Sequence, residues 1–242
     1  MADLGVLEVV AVLVAILASF TVSASAGLGG SLILVPSLAL VMGTKEGIAL
    51  AALLLGANNV VKVFAYRETL PFLSAAVLVV LLSVGAFLGS SLLLAAPEAL
   101  VGVAVIASFG ATLLAERQGW LDFRRVAAPV LAFGAGATSG FSGTSGPLKG
   151  AALRNLPLDK LHFVGAASLA SLAGDATKTA VFAEASLLDG QALRLAAFSV
   201  PLMIAGTFAG RHVTRQVGES GFAILFWSVM GGYAVRVAVT LL

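Results

Sequence analysis

The chain has 242 residues, 60% of them hydrophobic and 11% charged, with a mean hydropathy of +1.06 and a formal net charge of +2. Soluble domains run near half apolar and a quarter charged, so this balance excludes an ordinary soluble protein and gives no basis for nucleic-acid binding. The absence of cysteine excludes thiol catalysis, cysteine-ligated metal and disulfides.

A spanning helix needs about 20 mostly apolar residues to cross about 30 Å of hydrocarbon. In chain order, residues 5–26, 46–66, 70–95, 98–115, 124–140, 161–183, 191–212 and 219–241 meet that need. The N-terminus carries Asp3 and Glu8, and no basic residue precedes Lys45, so the first stretch reads as a span of the mature protein, not as a signal peptide. Two shorter apolar stretches, 30–43 and 144–155, read as half-helices of re-entrant hairpins. Each follows a glycine-rich turn, "AGLGGSLILVP" from Ala26 to Pro36 and "SGFSGTSGPL" from Ser139 to Leu148. Pro36 and Pro147 are expected to shape the starts of these half-helices. Too little sequence remains between the spans for a soluble domain.

The two turns are copies of one feature. Gly27-Leu28-Gly29-Gly30-Ser31 aligns with Gly140-Phe141-Ser142-Gly143-Thr144 at an offset of 113 residues. Asn59-Val60-Val61-Lys62 lies opposite Asp175-Ala176-Thr177-Lys178 at an offset of 116, and the added residues fall in the polar loop from Arg154 to Lys160. Gly85/Gly89 and Glu98 match Gly206/Gly210 and Glu219 at an offset of 121. The order is kept and the offset grows only where loops absorb insertions, which points to an internal duplication. The glycine pairs read as close-packing positions between helices.

Lys and Arg in short loops set the orientation. Arg117, Arg124 and Arg125 put the central loop in the cytoplasm, and Arg67, Arg154, Lys160, Arg211 and Arg215 fall on the same side. Lys45, Arg194 and Arg236 lie towards the other side, against the majority, and Arg236 reads as an interfacial anchor. Under this scheme Lys45 is outside and its partner Lys160 inside, so the halves have opposite topology, the plan of many secondary transporters. The expected fold is an all-α polytopic membrane protein with two inverted repeats, residues 1–119 and 120–242. Each repeat is a re-entrant helical hairpin followed by three spanning helices. Both termini are expected on the non-cytoplasmic side of the plasma membrane (the inner membrane of a cell with two).

Irregular backbone at membrane depth must be buried in protein or line a wet cavity. Glycine turns the chain there at no steric cost, and the half-helix that follows presents free N–H groups and its positive dipole end. Two such tips suit a small oxyanion. The expected binding residues are Gly29, Gly30 and Ser31 from the first turn and Ser142, Gly143, Thr144 and Ser145 from the second. Asn58, Asn59, Lys62, Asp175 and Lys178 are polar residues inside spans, where each charge near the centre costs about 2.5–3.5 kcal/mol, so they face the bundle interior. Asn58, Asn59, Lys62 and Lys178 join the binding set. Asp175, three residues from Lys178 and able to pair with it, is the expected carrier of a coupling proton. Lys62, about 7 Å from the boundary at Arg67, also has the snorkelling reading. Lys149 is placed to line an entrance. No cofactor or metal is implied. The partners are the anion and the lipid bilayer, and small-xxx-small pairs on outward helices permit a homodimer.

"GLGGSLILVPSLAL" resembles the signature of the TauE/SafE family of sulfite exporter-like membrane proteins. "GFSGTSGPLKGAALRNLPLDKLHFVGAASLASLAGDATK" is similar to the second-repeat version found in part of that family. The resemblance covers nearly the whole chain. It implies an exporter of small sulfur-containing anions such as sulfite or organosulfonates, and its glycine-rich turns carry over to Gly27, Gly29, Gly30, Gly140 and Gly143. Ser142, Thr144 and Ser145 depart from the common pattern, which bears on the exact anion. The rival readings are a passive anion channel, an importer of another small oxyanion, and an intramembrane serine protease. "GFSG" matches the G-x-S-G pattern of rhomboid proteases with Ser142 as nucleophile, but that chemistry needs a nearby base. The two histidines, His162 and His212, fall near the expected cytoplasmic face, and the duplication already accounts for the motif, so no enzyme is expected.

Overall fold

A computed structural model describes residues 5–26, 30–118 and 126–241. Gly27, Gly29, Arg124 and Arg125, all used above, lie outside the described residues, as do the side chains of Arg117, Gly210, Arg211, His212, Arg215 and Glu219. The described residues are helical with short connections and contain no strand: α1 (Val6–Ala26), α2 (Ser31–Met42), α3 (Thr44–Ala65), a 3-10 turn (Arg67–Thr69), α4 (Phe72–Ala95), α5 (Glu98–Gln118), α6 (Ala128–Ser142), α7 (Gly146–Arg154), α8 (Lys160–Glu184) and α9 (Gly190–Leu241).

The breaks follow local chemistry. Gly43 alone joins α2 to α3, at φ +111, a backbone conformation that L side chains rarely adopt. Pro71 and Pro97, which cannot donate to a preceding turn, stand at the starts of α4 and α5. Asp159 caps α8, its Oδ1 accepting from the amides of Leu161 and His162 at 2.9 Å each, and Asp189 does the same for α9 with Gln191 and Ala192. The start of α3 is tied to three neighbours. The Thr44 amide donates to Glu98 Oε1 at 2.8 Å, Lys45 Nζ to the Leu94 carbonyl at 2.9 Å, and Tyr233 Oη to Thr44 Oγ1 at 3.0 Å.

Helix α4 packs along α6, and α1 along α9. At the first interface Gly85 and Gly89 lie against the carbonyls of Phe133 and Ala137, while Gly136 and Gly140 lie against those of Leu82 and Ala86. Small residues on both helices thus let the backbones meet, the packing that membrane helices use. Gly206 lies against Leu17 and Phe20 of α1 in the same manner. The main apolar core gathers α2 and the first half of α3 with side chains of α1, α5 and α9, and a smaller cluster joins α4, α6, α7 and α8. The outer surface is apolar too: Phe64, Leu73, Val80 and Phe198 all stand exposed, which suits contact with lipid. Helices α3 and α4 have the length and composition to cross a membrane. Shorter apolar helical segments are Val9–Thr21, Ser31–Met42, Glu98–Thr112 and Gly190–Gly206.

Three expectations are corrected. Residues 191–212 and 219–241, read as two spans, belong to the single 52-residue α9. Its "VTRQVGES" segment holds good helix formers and no proline, and one glycine costs only about 1 kcal/mol, so nothing local stops the helix. At 1.5 Å per residue α9 is about 78 Å long. Pro36 lies inside α2, not at its start, whereas Pro147 occupies the first turn of α7 as expected. Arg236 does more than anchor at an interface: its guanidinium donates to the carbonyls of Ala39 and Leu40, at the C-terminal end of α2.

Candidate functional site

On α3, Leu55, Asn59 and Lys62 stand at i, i+4 and i+7 and share one face of the helix. On α8, Ser171, Asp175 and Lys178 repeat that spacing 116 residues later. The two helices run antiparallel. Asn59 meets Asp175, while Gly165, ten residues before Asp175, sits against the carbonyl of Thr69, ten residues after Asn59. Both faces line a cavity of about 110 Å³. That volume holds a small ion or a few waters and falls well short of the roughly 300–1,000 Å³ of pockets for drug-sized ligands.

The remaining wall comes from the two hairpins. Gly30 and Ser31 contribute from the start of α2, Ser139 from the last turn of α6, and Gly143 and Ser145 from the connection between α6 and α7. Gly143 ends α6 in the left-handed region at φ +82, its amide donating to the Ser139 carbonyl at 3.0 Å. A Cβ on Gly143 would come within 2.9 Å of Val35 Cγ1 on α2, so the hairpins touch here and only glycine permits it. No side-chain bond caps either half-helix at its N-cap residue, Gly30 for α2 and Ser145 for α7. A helix leaves its first amides without partners inside the helix, although in α7 Pro147 has no N–H to offer.

The electrostatics centre on Asp175. Its Oδ2 accepts from Asn59 Nδ2 at 2.7 Å, and its Oδ1 pairs with Lys178 Nζ at 2.7 Å. Lys178 is 1% exposed and also donates to Ser139 Oγ at 3.0 Å. Lys149 Nζ, on α7, donates to Ser171 Oγ at 2.7 Å. Lys62 stands exposed at the rim. Three lysines face one carboxylate, so the lining carries a net charge of +2 with all four groups ionised. Ammonium groups, hydroxyls and open helix amides together bind oxyanions well. Among the described residues no group of three or more His, Asp or Glu side chains could hold a metal ion.

Of the residues expected from sequence, Gly30, Ser31, Asn59, Lys62, Gly143, Ser145, Asp175 and Lys178 line this one cavity. Asn58, Ser142 and Thr144 do not. Gly29 lies outside the described residues. Ser142 is buried, with its hydroxyl donating to the Thr138 carbonyl at 2.9 Å. His162 pairs with Asp159 at 2.7 Å, thirteen residues along α8 from Asp175 and so about 20 Å away along the helix. The lining residues that the sequence reading did not place in the binding set are Ser139, Ser171 and Lys149, with Leu55, Leu82, Ala170 and Gly174 as apolar or small neighbours. Ser171 had a legible signal, since it stands four residues before Asp175 on the same face.

A protein-family model described as "Sulfite exporter TauE/SafE" matches residues 11–237, nearly the whole chain. Comparison with curated proteins and with solved structures returns no match.

Proposed function

Because this chain belongs to the TauE/SafE sulfite exporter family of membrane transporters, we propose that it exports a small sulfur-containing oxyanion, sulfite or an organosulfonate, through the cavity between its two hairpin turns. One observation carries this reading: a small, net positive cavity is walled by both half-helix starts and by matching faces of α3 and α8. The anion would be held by the amides and hydroxyls at Gly30, Ser31 and Ser145, with Gly143 letting the two hairpins close on it, Lys62 and Lys178 supplying opposite charge and Asn59 completing the floor.

The inverted duplication gains support from the same contacts. Asn59 and Asp175 are equivalent positions of the two repeats, and they touch. Equivalent residues meet in this way on a two-fold axis. An axis lying in the membrane plane also makes equivalent helices antiparallel, as α3 and α8 are. The packing of α4 on α6 has its counterpart in that of α9 on α1. In such a transporter the halves rock about the axis and expose the anion to each side in turn.

Asp175 is the proposed point of proton coupling. A proton taken by its carboxylate would cancel the pairing with Lys178, so the protonation state of Asp175 would be linked to how tightly the anion is held. The test is a binding survey of the purified protein against sulfite, sulfonates, thiosulfate, sulfate and carboxylates, followed by flux measurements in liposomes with and without a pH gradient. Stabilisation by sulfur oxyanions and gradient-driven flux are expected. Stabilisation by carboxylates or neutral solutes alone would sink the substrate assignment, and flux indifferent to the gradient would make the protein a passive anion pathway.

A further inference from the structure

We propose that Lys149 sets the charge of the anion that this site accepts, giving it a preference for small dianions over monoanions of the same size. The inference rests on the reading of the cavity as an anion site. Compared repeat by repeat, Lys62 and Lys178 are equivalent and give one positive charge to each half. The second repeat then departs from the first in two charged positions. Asp175 stands where the first repeat has Asn59, which removes a positive charge from the balance, and Lys149 stands where it has Pro36, which restores it.

The restoring charge does not form the direct ion pair with the carboxylate, which Lys178 makes. Asp175 is already engaged by Asn59 and Lys178, at 2.7 Å each. Lys149 rests instead on Ser171, a neutral hydroxyl that itself replaces Leu55 of the first repeat. An ammonium has three N–H donors, and the Ser171 bond uses one of them. With Asp175 ionised the cavity therefore keeps two units of positive charge that no internal carboxylate answers. A ligand with two negative charges neutralises that excess, whereas a monoanion leaves one cation uncompensated in a partly desolvated space. The Lys149–Ser171 bond also ties α7 to α8. If that mechanical role were its whole purpose, removing the bond would affect all anions alike.

Thiosulfate and methanesulfonate separate the two roles, since they differ by a sulfur or a methyl group on the same SO3 unit and by one unit of charge. The full-length protein in nanodiscs is titrated calorimetrically with both, and with sulfite, at neutral pH. Wild type is expected to bind thiosulfate roughly tenfold or more tighter than methanesulfonate. Lys149→Gln should remove most of that preference by weakening thiosulfate, with methanesulfonate changed at most about twofold, and Lys149→Arg should keep it. Equal wild-type affinities, or an equal loss for both ligands in Lys149→Gln, would overturn the inference while leaving the anion reading intact. Binding of none of the three anions would overturn both. Should Lys149→Gln fail to fold, the wild-type and Lys149→Arg ratios still decide, because a ratio near one in either contradicts the proposal.

Discussion

Asp175 and Lys178 are the most consequential pair of side chains in the molecule, because each is buried and each answers the other. Removing one partner of such a pair leaves an uncompensated charge and costs about 3–5 kcal/mol, whereas replacing both can be nearly neutral. Asp175→Asn and Lys178→Met are therefore each expected to lower stability by about that amount, and the double variant to cost clearly less than their sum. Thermal unfolding of the four proteins in one detergent measures this, and additive losses would show that the pair does not act as a unit. Both residues were legible in sequence, since a charge inside an apolar span must turn inward. Ser139 and Ser171 were less so. A lone serine in a membrane helix satisfies itself on a preceding carbonyl, as Ser142, Ser168 and Ser199 do, and nothing in its identity marks the exceptions. Asn58 shows the reverse error. It is as polar as Asn59, but the α3 face turns about 100° per residue and carries it away from the cavity.

Among the elements, the two half-helices are held differently. Helix α2 has twelve mostly apolar residues, buried from Leu32 to Ala39, and the Arg236 cation sits against its C-terminal carbonyls, where the helix dipole favours positive charge. Helix α7 has nine residues, packs in the smaller cluster and bonds to α8 through Lys149. Its connection to α8 is set by Asp159, whose carboxyl is held below the usual carboxylate range, chiefly by the backbone amide of His162 and then by its imidazole. A carboxyl depressed in the folded state contributes stability that is fully present above its unfolded value and is lost as pH falls through the folded one. Asp159→Ala should accordingly be less stable than wild type at neutral pH. The gap should close only on acidification below the ordinary carboxylate range, and a gap that stayed constant to strongly acid pH would rule out this cap as its source. The hairpins could be read from their glycines and their length. The continuity of α9 could not, because charged residues that mark a membrane boundary are also good helix formers, and hydropathy reports the boundary without the backbone.

For the whole molecule the decisive property is the antiparallel crossing of α3 and α8, which places the end of one helix beside the start of the other. In a membrane this puts Glu68, just beyond α3, on the same side as Asn155 and Asp159, before α8, and it puts Ala185, just beyond α8, on the opposite side. We propose that the first side is the cytoplasmic one, on the positive charge of Arg67, Arg154 and Lys160. The chain has no cysteine of its own, so single substitutions give unambiguous labels. Glu68→Cys and Asn155→Cys, both exposed positions, should react with a membrane-impermeant thiol reagent only when the cytoplasmic face is open to it. Ala185→Cys, also exposed, should react in intact cells or spheroplasts. Labelling of Glu68→Cys and Ala185→Cys from one common side would mean that α8 does not cross the membrane as a span. The two-fold relation between Asn59 and Asp175 would then be a local contact, and alternating access about that axis would have no basis.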